Sequence, residues 1–180
     1  DAIVSLKSGG IYAEITMKLI EKNPEKFSPP VFYQLAKYLF EQGKKDEAAV
    51  WFYRGQLRAR YDANRCADVT ARSAVNTMNQ AVGGSINAYM MQNVDKLKEI
   101  VSEVVEWDRK VPHEYDHRWI NLYGMEAMQA GLKGEAKEDV VFSLPEEQWP
   151  QIAEKTRNDY LEGFQKALKM MTEDSKKSTQ

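Results

Sequence analysis

Apolar residues recur at intervals of three and four along most of the chain, the spacing that places them on one face of an α-helix. Near the start, this pattern predicts an amphipathic helix whose apolar face consists of Ile11, Tyr12, Ile15, Leu19 and Ile20. A second predicted helix has an apolar face formed by Val31, Phe32, Leu35, Tyr38 and Leu39. Both predicted faces are expected to lie in the core.

Capping and turn residues set the expected limits of these helices. Asn23-Pro24 ends the first helix, and Ser28 is positioned to cap the second, where proline is tolerated in the first turn. Gly43 supplies the left-handed conformation that ends many helices, and Asp46 is a candidate cap for a third helix that reaches about Tyr61.

The second half of the chain continues the helical pattern. Gly83-Gly84 predicts a break in a helix, and Ser85 and Asn93 are candidate caps for the next two. A helix is expected from Val94 to Trp107 and closed by Pro112, and Ser143 to Glu146 have the form of a capping box. The last helix repeats apolar or small residues at positions 149, 152, 153, 156, 160, 164, 167, 168 and 171.

Strand signals are weak, so the prediction is an all-α fold of about seven to nine helices arranged as irregular helical hairpins. At 180 residues with 43% hydrophobic content, the chain is long enough for one domain with a substantial core. We expect that domain to span residues 1–173 and to be followed by a polar, frayed tail at 174–180.

Charge and composition exclude several classes of function. The formal net charge is −2 and basic residues are scattered among acids, so a nucleic-acid partner is not expected. No stretch has the roughly 20 apolar residues needed to insert into a membrane. Cys66 is the only cysteine, which excludes an internal disulfide and a multi-cysteine zinc cluster. Asp1 in place of Met fits either a processed protein exported to the periplasm or a trimmed chain.

Two predicted hairpins share a pattern of residues. The stretch Leu35 to Ala48 and the stretch Tyr123 to Ala136 match at Gly43 and Gly131, at Lys45 and Lys133, at Glu47 and Glu135, and at Ala48 and Ala136. The offset is twice a length typical of helix-pair repeats.

The first of these hairpins resembles tetratricopeptide and SEL-type repeats. The matching positions are Leu35-Ala36, Leu39, Gly43, Ala48 and Phe52. The resemblance implies a repeat-like helical fold whose first helix lines a groove for a protein partner. It points to Tyr33, Lys37, Phe40 and Glu41 as partner-contacting residues, although the same residues also fit an ordinary helix surface. Gly55 departs from the pattern, which usually has alanine there.

Residues 113–117 read HEYDH, the H-E-x-x-H spacing by which many metalloproteases hold zinc. His113 and His117 would be ligands and Glu114 the base, with Glu126, Glu135, Glu138 or Asp139 as the third ligand. Pro112 and the charged Asp116 count against this hypothesis, because Asp116 is equally suited to cap a helix that starts at His117. We therefore expect no metal ligand here and no cofactor.

Two charged groups remain as candidates. Asp95, Glu99 and Glu103 form an acidic stripe on one predicted helix, which suits either a cationic partner or a solvated surface. Arg54, Arg58 and Arg65 could receive an anion, or pair internally with Asp62 or Asp68.

The sequence therefore predicts a non-catalytic helical module that binds another protein, such as a bacterial adaptor or an inhibitor that neutralises a toxin. The alternative hypothesis is a zinc-dependent hydrolase centred on His113, Glu114 and His117.

Overall fold

The computed structural model describes residues 1–125, 128, 129, 132 and 141–177, the last seven of these by backbone alone. Its α-helices are α1 Ala2–Ser8, α2 Gly10–Lys22, α3 Pro29–Glu41, α4 Lys45–Arg65, α5 Ser73–Met90, α6 Val94–Lys110 and α7 Trp149–Lys177. Short 3-10 helices cover Pro24–Lys26, Val69–Arg72, His117–Tyr123 and Glu146–Gln148.

The all-α prediction is confirmed for the described part of the chain. The β-type pairing found there is an isolated antiparallel bridge between Cys66 and Ser143. No helix within the described ranges is both long and apolar enough to cross a membrane. α7 runs through Lys177, so residues 174–177 belong to this helix.

Helix α4 is the centre of the molecule. It contacts α3, α5, α6 and α7, and it buries side chains on all sides rather than along one stripe. Its aromatic residues join the surrounding helices: Trp51 packs on Phe32 of α3 at a centroid distance of 5.0 Å, and Tyr53 packs on Phe164 of α7 at 5.5 Å. Because it is surrounded in this way, α4 buries polar and charged side chains as well as apolar ones, among them Gln56, Arg58, Asp62 and Arg65.

Two glycines shape the α3–α4 hairpin. Gly43 has φ 79°, the left-handed conformation expected at the end of α3. Gly55 lies where α3 crosses α4, and a Cβ there would lie 3.2 Å from Phe32 Cβ and from Tyr33 Cδ2. The departure of Gly55 from the repeat pattern therefore has a structural reason, namely close approach of the two helices.

The predicted break at Gly83-Gly84 is wrong, since both glycines lie inside α5. A Cβ on Gly83 would lie 2.7 Å from Phe52 Cζ, whereas one on Gly84 would meet nothing within 4 Å. Gly83 is thus explained by the close packing of α5 on α4. The predicted cap Ser85 also lies within α5.

The apolar face predicted for the first helix is wrong for every residue except Ile20, which is buried. α2 buries Ala13 and Ile20, while Ile11, Tyr12, Ile15 and Leu19 are exposed. The preceding helix α1 was not predicted, and it buries Leu6. The helical period was identified correctly, but α2 docks on the domain through the side that carries Ala13 and Ile20.

Of three other predicted capping residues, the structure confirms Asn93 but not Asp46 or Ser143. Asn93 caps α6 by accepting from the Lys96 amide, as expected. Asp46 does not cap α4, which starts at Lys45, and its carboxylate instead accepts from Tyr89 and Lys96. Ser143 forms no capping box, and its hydroxyl contacts His117.

The second predicted hairpin falls mainly outside the described residues. Gly131, Lys133, Glu135 and Ala136 are among the positions without a description, so the internal match is left as a prediction. Upstream of them, His117–Tyr123 form a 3-10 helix rather than the expected α-helix.

We expect Gly83→Ala to destabilise the fold and Gly84→Ala to stabilise it. Alanine favours a helix over glycine by up to about 1 kcal/mol, but at position 83 its methyl group collides with the buried Phe52 ring, and overpacking typically costs about 1–3 kcal/mol. Urea unfolding of both variants measures the difference in the free energy of unfolding. Equal stabilities for the two variants would contradict the close approach of α4 and α5.

Candidate functional site

A buried ion pair underlies the HEYDH segment. Arg58 on α4 is fully buried, and its Nε donates to Asp108 Oδ1 on α6 at 3.1 Å. The Arg58 Nη2 group donates to the carbonyl oxygens of Val111 and Pro112 at 2.9 and 3.1 Å. One guanidinium thus fixes the end of α6 and the start of the following loop to the central helix.

Asp108 is shared by three cations or donors. His113 Nε2 lies 3.0 Å from Oδ1, and Arg157 Nε of α7 donates to Oδ2 at 2.9 Å. Burial by itself would raise the pKa of Asp108. The hydrogen bond and charge of His113, with the charges of Arg58 and Arg157, outweigh burial and lower this pKa. Asp108 is therefore ionised in the folded protein at neutral pH.

A second buried carboxylate, Asp62, accepts a hydrogen bond from Tyr115, the middle residue of the HEYDH segment. Tyr115 donates its hydroxyl to Asp62 Oδ2 at 3.0 Å, and Trp119 donates its indole N–H at 2.8 Å. Arg65 donates twice to Oδ1, from Nε at 3.1 Å and Nη2 at 2.7 Å. Burial raises the pKa of Asp62, and the Arg65 charge acts in the opposite direction.

The last residue of the segment, His117, turns towards a different part of the molecule. Its Nε2 lies 2.6 Å from Ser143 Oγ, and its ring packs on Trp149 at a centroid distance of 5.0 Å. Burial, followed by the positive charges of Arg65 and Arg118, lowers the pKa of His117 to about 4. The imidazole is therefore neutral at pH 7.

This arrangement differs from the one that H-E-x-x-H zinc sites require, in which both histidines lie on one helical face. The 3-10 helix begins at His117 and Asp116 caps it through the Arg118 amide, so His113 precedes the helix. The two imidazoles contact different groups, and Glu114 is exposed. The described ranges contain no group of three metal-ligating side chains, while the suggested third ligands at 126, 135, 138 and 139 lie outside them.

The arginines of α4 are used internally. Arg65 pairs with Asp62 as one of the sequence interpretations expected, whereas the partner of Arg58 is Asp108, which the sequence did not indicate. Arg54 lies between the rings of Trp51 and Trp107, at 4.7 and 4.4 Å from their centroids. Arginine stacks well on aromatic faces, so these side chains form part of the core.

The residues suggested by the repeat resemblance do not share one environment. Tyr33 is buried and donates its hydroxyl to Asn79 at 2.7 Å, so it presents no surface to a partner. Lys37 and Glu41 are exposed and pair loosely with each other. Phe40 is half-buried beneath Lys45.

The acidic stripe lies on the outer side of α6. Asp95, Glu99 and Glu103 are all exposed, and Asp95 pairs with Lys98 at 3.1 Å. Lys96 pairs across the surface with Asp46 rather than with the stripe. The stripe is therefore accessible to a cationic partner, and its role as a contact surface is still a prediction.

A groove that the sequence did not reveal runs between α4, α5 and α7. It consists of two adjoining cavities of about 340 and 380 Å³, which share Arg60, Asp159 and Tyr160. We call it the central groove; its other lining residues are Gln56, Ala63, Asn64, Arg72, Val75, Asn76, Asn87, Met91, Thr156, Gly163, Phe164 and Ala167.

The central groove carries two arginines and several side-chain amides. Arg60 and Arg72 are exposed there, and neither has a carboxylate partner among the described residues. Arg60 lies over the Tyr160 ring at 5.6 Å. Asp159, the carboxylate among the lining residues, is already paired with Lys155 at 2.6 Å. The groove therefore has a positive character in a chain whose net charge is negative.

Tyrosine–amide pairs hold the floor of the groove in place. Tyr53 donates its hydroxyl to Asn87 Oδ1 at 2.9 Å, and Tyr160 donates to Gln56 Oε1 at 2.8 Å. Each bond occupies an amide oxygen. The Asn87 side chain lines the groove and is half-buried, and its Nδ2 group has no acceptor within the described part of the chain. The side-chain amides of α5 are visible in the sequence. They indicate a groove only when α7 is known to line it as well.

Comparisons with known proteins do not assign this chain to a family, so its class is defined by the all-α fold of the described residues. No known protein family matches the chain, and no solved structure is significantly similar to it. An uncharacterized protein of Haemophilus influenzae is 32% identical over 100 residues, which is 54% of this chain and 39% of that protein. The chain thus has a bacterial relative, of whose length the match spans about two fifths.

We expect Asp108→Asn to destabilise the fold by about 3–5 kcal/mol, because it leaves the buried Arg58 charge without its counter-charge. Asp116→Asn is the matched control, since asparagine keeps the cap and only an exposed pair with Arg118 is lost. Thermal and urea unfolding measure both effects. Similar losses in the two variants would show that the Arg58–Asp108 pair is not the main constraint.

The lowered pKa of His117 predicts a pH dependence. The unfolded chain, with a histidine pKa near 6.5, binds more protons than the folded one between about pH 6.5 and 4, so this contribution to stability is present above pH 6.5 and lost on acidification. Unfolding free energies at pH 7, 6 and 5 should fall less steeply in His117→Gln than in the native chain. An unchanged slope would contradict a half-buried His117 that is neutral at pH 7.

Proposed function

We propose that this chain is a non-catalytic helical module that binds another protein, and that the central groove holds an anionic segment of that partner. The observation that carries the proposal is the pair of exposed arginines, Arg60 and Arg72, which lie in one groove and have no carboxylate partner among the described residues. Guanidinium groups in a concave surface are suited to carboxylates of a peptide chain.

The electrostatics of the lining support an anionic ligand over a cationic one. Lys155 already neutralises Asp159, whereas nothing in the described ranges neutralises Arg60 or Arg72. Donors such as the Asn87 amide add sites for the carbonyl or carboxylate oxygens of an extended segment. A partner with glutamate and aspartate side chains would gain charge-assisted hydrogen bonds that a neutral one lacks.

The rigidity of the floor supports a binding role. Tyr53 and Tyr160 are buried, and their hydroxyl groups are bonded to amides of the groove. A preformed lining loses little side-chain entropy when a partner binds. This favours recognition of a segment that becomes ordered on a fixed surface.

The finer description that we favour is a tetratricopeptide- or SEL-like array. In its support, α3 and α4 form a close hairpin turned at Gly43, and small residues bring α4 and α5 together at Gly83. A bacterial adaptor, or an inhibitor that neutralises a toxin, fits a small helical domain with this kind of groove. This assignment of class is part of the proposal.

The experiment measures binding of a short fluorescent glutamate-rich peptide by anisotropy at low salt. Arg60→Gln and Arg72→Gln should each weaken binding by about fivefold. This factor corresponds to the loss of roughly 1 kcal/mol, which is typical of one exposed ion pair. Added salt should weaken binding of the native chain, because it screens exposed charges.

Lys110→Gln is the matched control, because Lys110 is an exposed cation at the end of α6 and outside the groove. It should leave the affinity unchanged. Failure of the native chain to bind the peptide, or an equal loss in Lys110→Gln, would overturn the groove as the site. A natural partner that is lost on charge reversal at Glu99 and Glu103 instead would move the site to the acidic stripe of α6.

A further inference from the structure

Helix α2 presents an apolar face to the outside. Ile11, Tyr12, Ile15 and Leu19 are 61%, 69%, 58% and 51% exposed, and we call these four residues the α2 outer face. Ala13, which α2 buries, is about 200° around the helix from Ile15 at 3.6 residues per turn. The outer face therefore points directly away from the domain to which α2 is attached.

The size of the α2 outer face matches what a small protein interface needs. The exposed parts of its four side chains amount to on the order of 500 Å² per chain, so two such faces would bury roughly 1,000 Å², the lower limit for a specific interface. The aliphatic stem of Lys22, which is exposed on the same helix, would add to this area. An apolar patch of this extent is near the largest that a typical monomer exposes, and such patches are often functional.

The arrangement of the face suits a second copy of itself. Ile11 and Leu19 lie four residues before and four residues after Ile15. When two α2 helices pack antiparallel about a two-fold axis at Ile15, each Ile11 meets the other chain's Leu19, and the two Ile15 side chains meet each other. A two-fold interface requires this kind of self-complementary surface.

The charges on α2 are also compatible with a second copy. Within this helix, Glu14 and Glu21 are balanced by Lys18 and Lys22. Two copies therefore approach without net repulsion, whereas a strongly charged partner would gain nothing from this surface.

We propose that the α2 outer face is the interface of a homodimer, formed by antiparallel packing of α2 against α2 of a second copy. The interface is small, so the dimer forms and dissociates with concentration. It is independent of the central groove, and failure of either proposal leaves the other standing.

A single cysteine tests the geometry. In Ile15→Cys, the two thiols lie beside the two-fold axis, so mild oxidation should give a disulfide-linked dimer on a non-reducing gel. The control is Met170→Cys, which places a thiol at a 65% exposed position on α7. The native Cys66 is buried at 3% exposure and should give no cross-link.

Sedimentation equilibrium of the uncross-linked chain provides the second measurement. The native chain should pass from monomer to dimer as its concentration rises towards about 0.5 mM. A dimer with a dissociation constant in the millimolar range or weaker would be a negligible interaction. Ile15→Glu should stay monomeric with an unchanged unfolding curve, because the residue is exposed. Met170→Glu should dimerise like the native chain.

A native chain that remains monomeric throughout this range would overturn the proposal. The proposal would be overturned in the same way if the α2 outer face binds a helix of another protein instead of a second copy. Equal cross-linking of Ile15→Cys and Met170→Cys would overturn it too, because random collision would then account for both. Preferential cross-linking of Ile15→Cys together with dissociation in Ile15→Glu would establish the interface.

Discussion

The buried pairing of Arg58 with Asp108 is the constraint around which the rest of the fold is arranged. A guanidinium with no exposure to water has to be matched by a carboxylate and by acceptors for its remaining donors. Here the acceptors are main-chain carbonyls that follow α6, and the carboxylate also binds Arg157 of α7. Satisfying one buried charge therefore fixes the positions of three helices relative to one another.

The HEYDH segment follows from the same constraint. Because Arg58 holds the carbonyls of Val111 and Pro112, the chain enters the segment next to Asp108 and Asp62, where His113 and Tyr115 find their partners. These two side chains satisfy buried carboxylates on α6 and α4. A spacing associated with zinc thus serves here to attach a loop. The candidate binding surface lies elsewhere, in the central groove.

Much of the helical content was predictable from the sequence, and the orientation of the helices was less so. The 3.6-residue period located α2, α3, α4, α6 and α7, because each has its own apolar spacing and boundary residues. Gly83 was misread as a break because its role depends on the Phe52 ring of another helix. The central groove was missed for the same reason, since Arg60, Arg72 and Tyr160 come together only through packing.

The sequence by itself determined that the chain is helical, that Gly43 turns the first hairpin and that Asp116 caps the helix after HEYDH, because these depend on local spacing and local hydrogen bonds. Only the tertiary structure decided which face of α2 is buried, which carboxylate pairs with Arg58 and where donors gather into a groove. The physical reason is that burial and ion pairing depend on residues distant in the chain, whose approach no local pattern encodes.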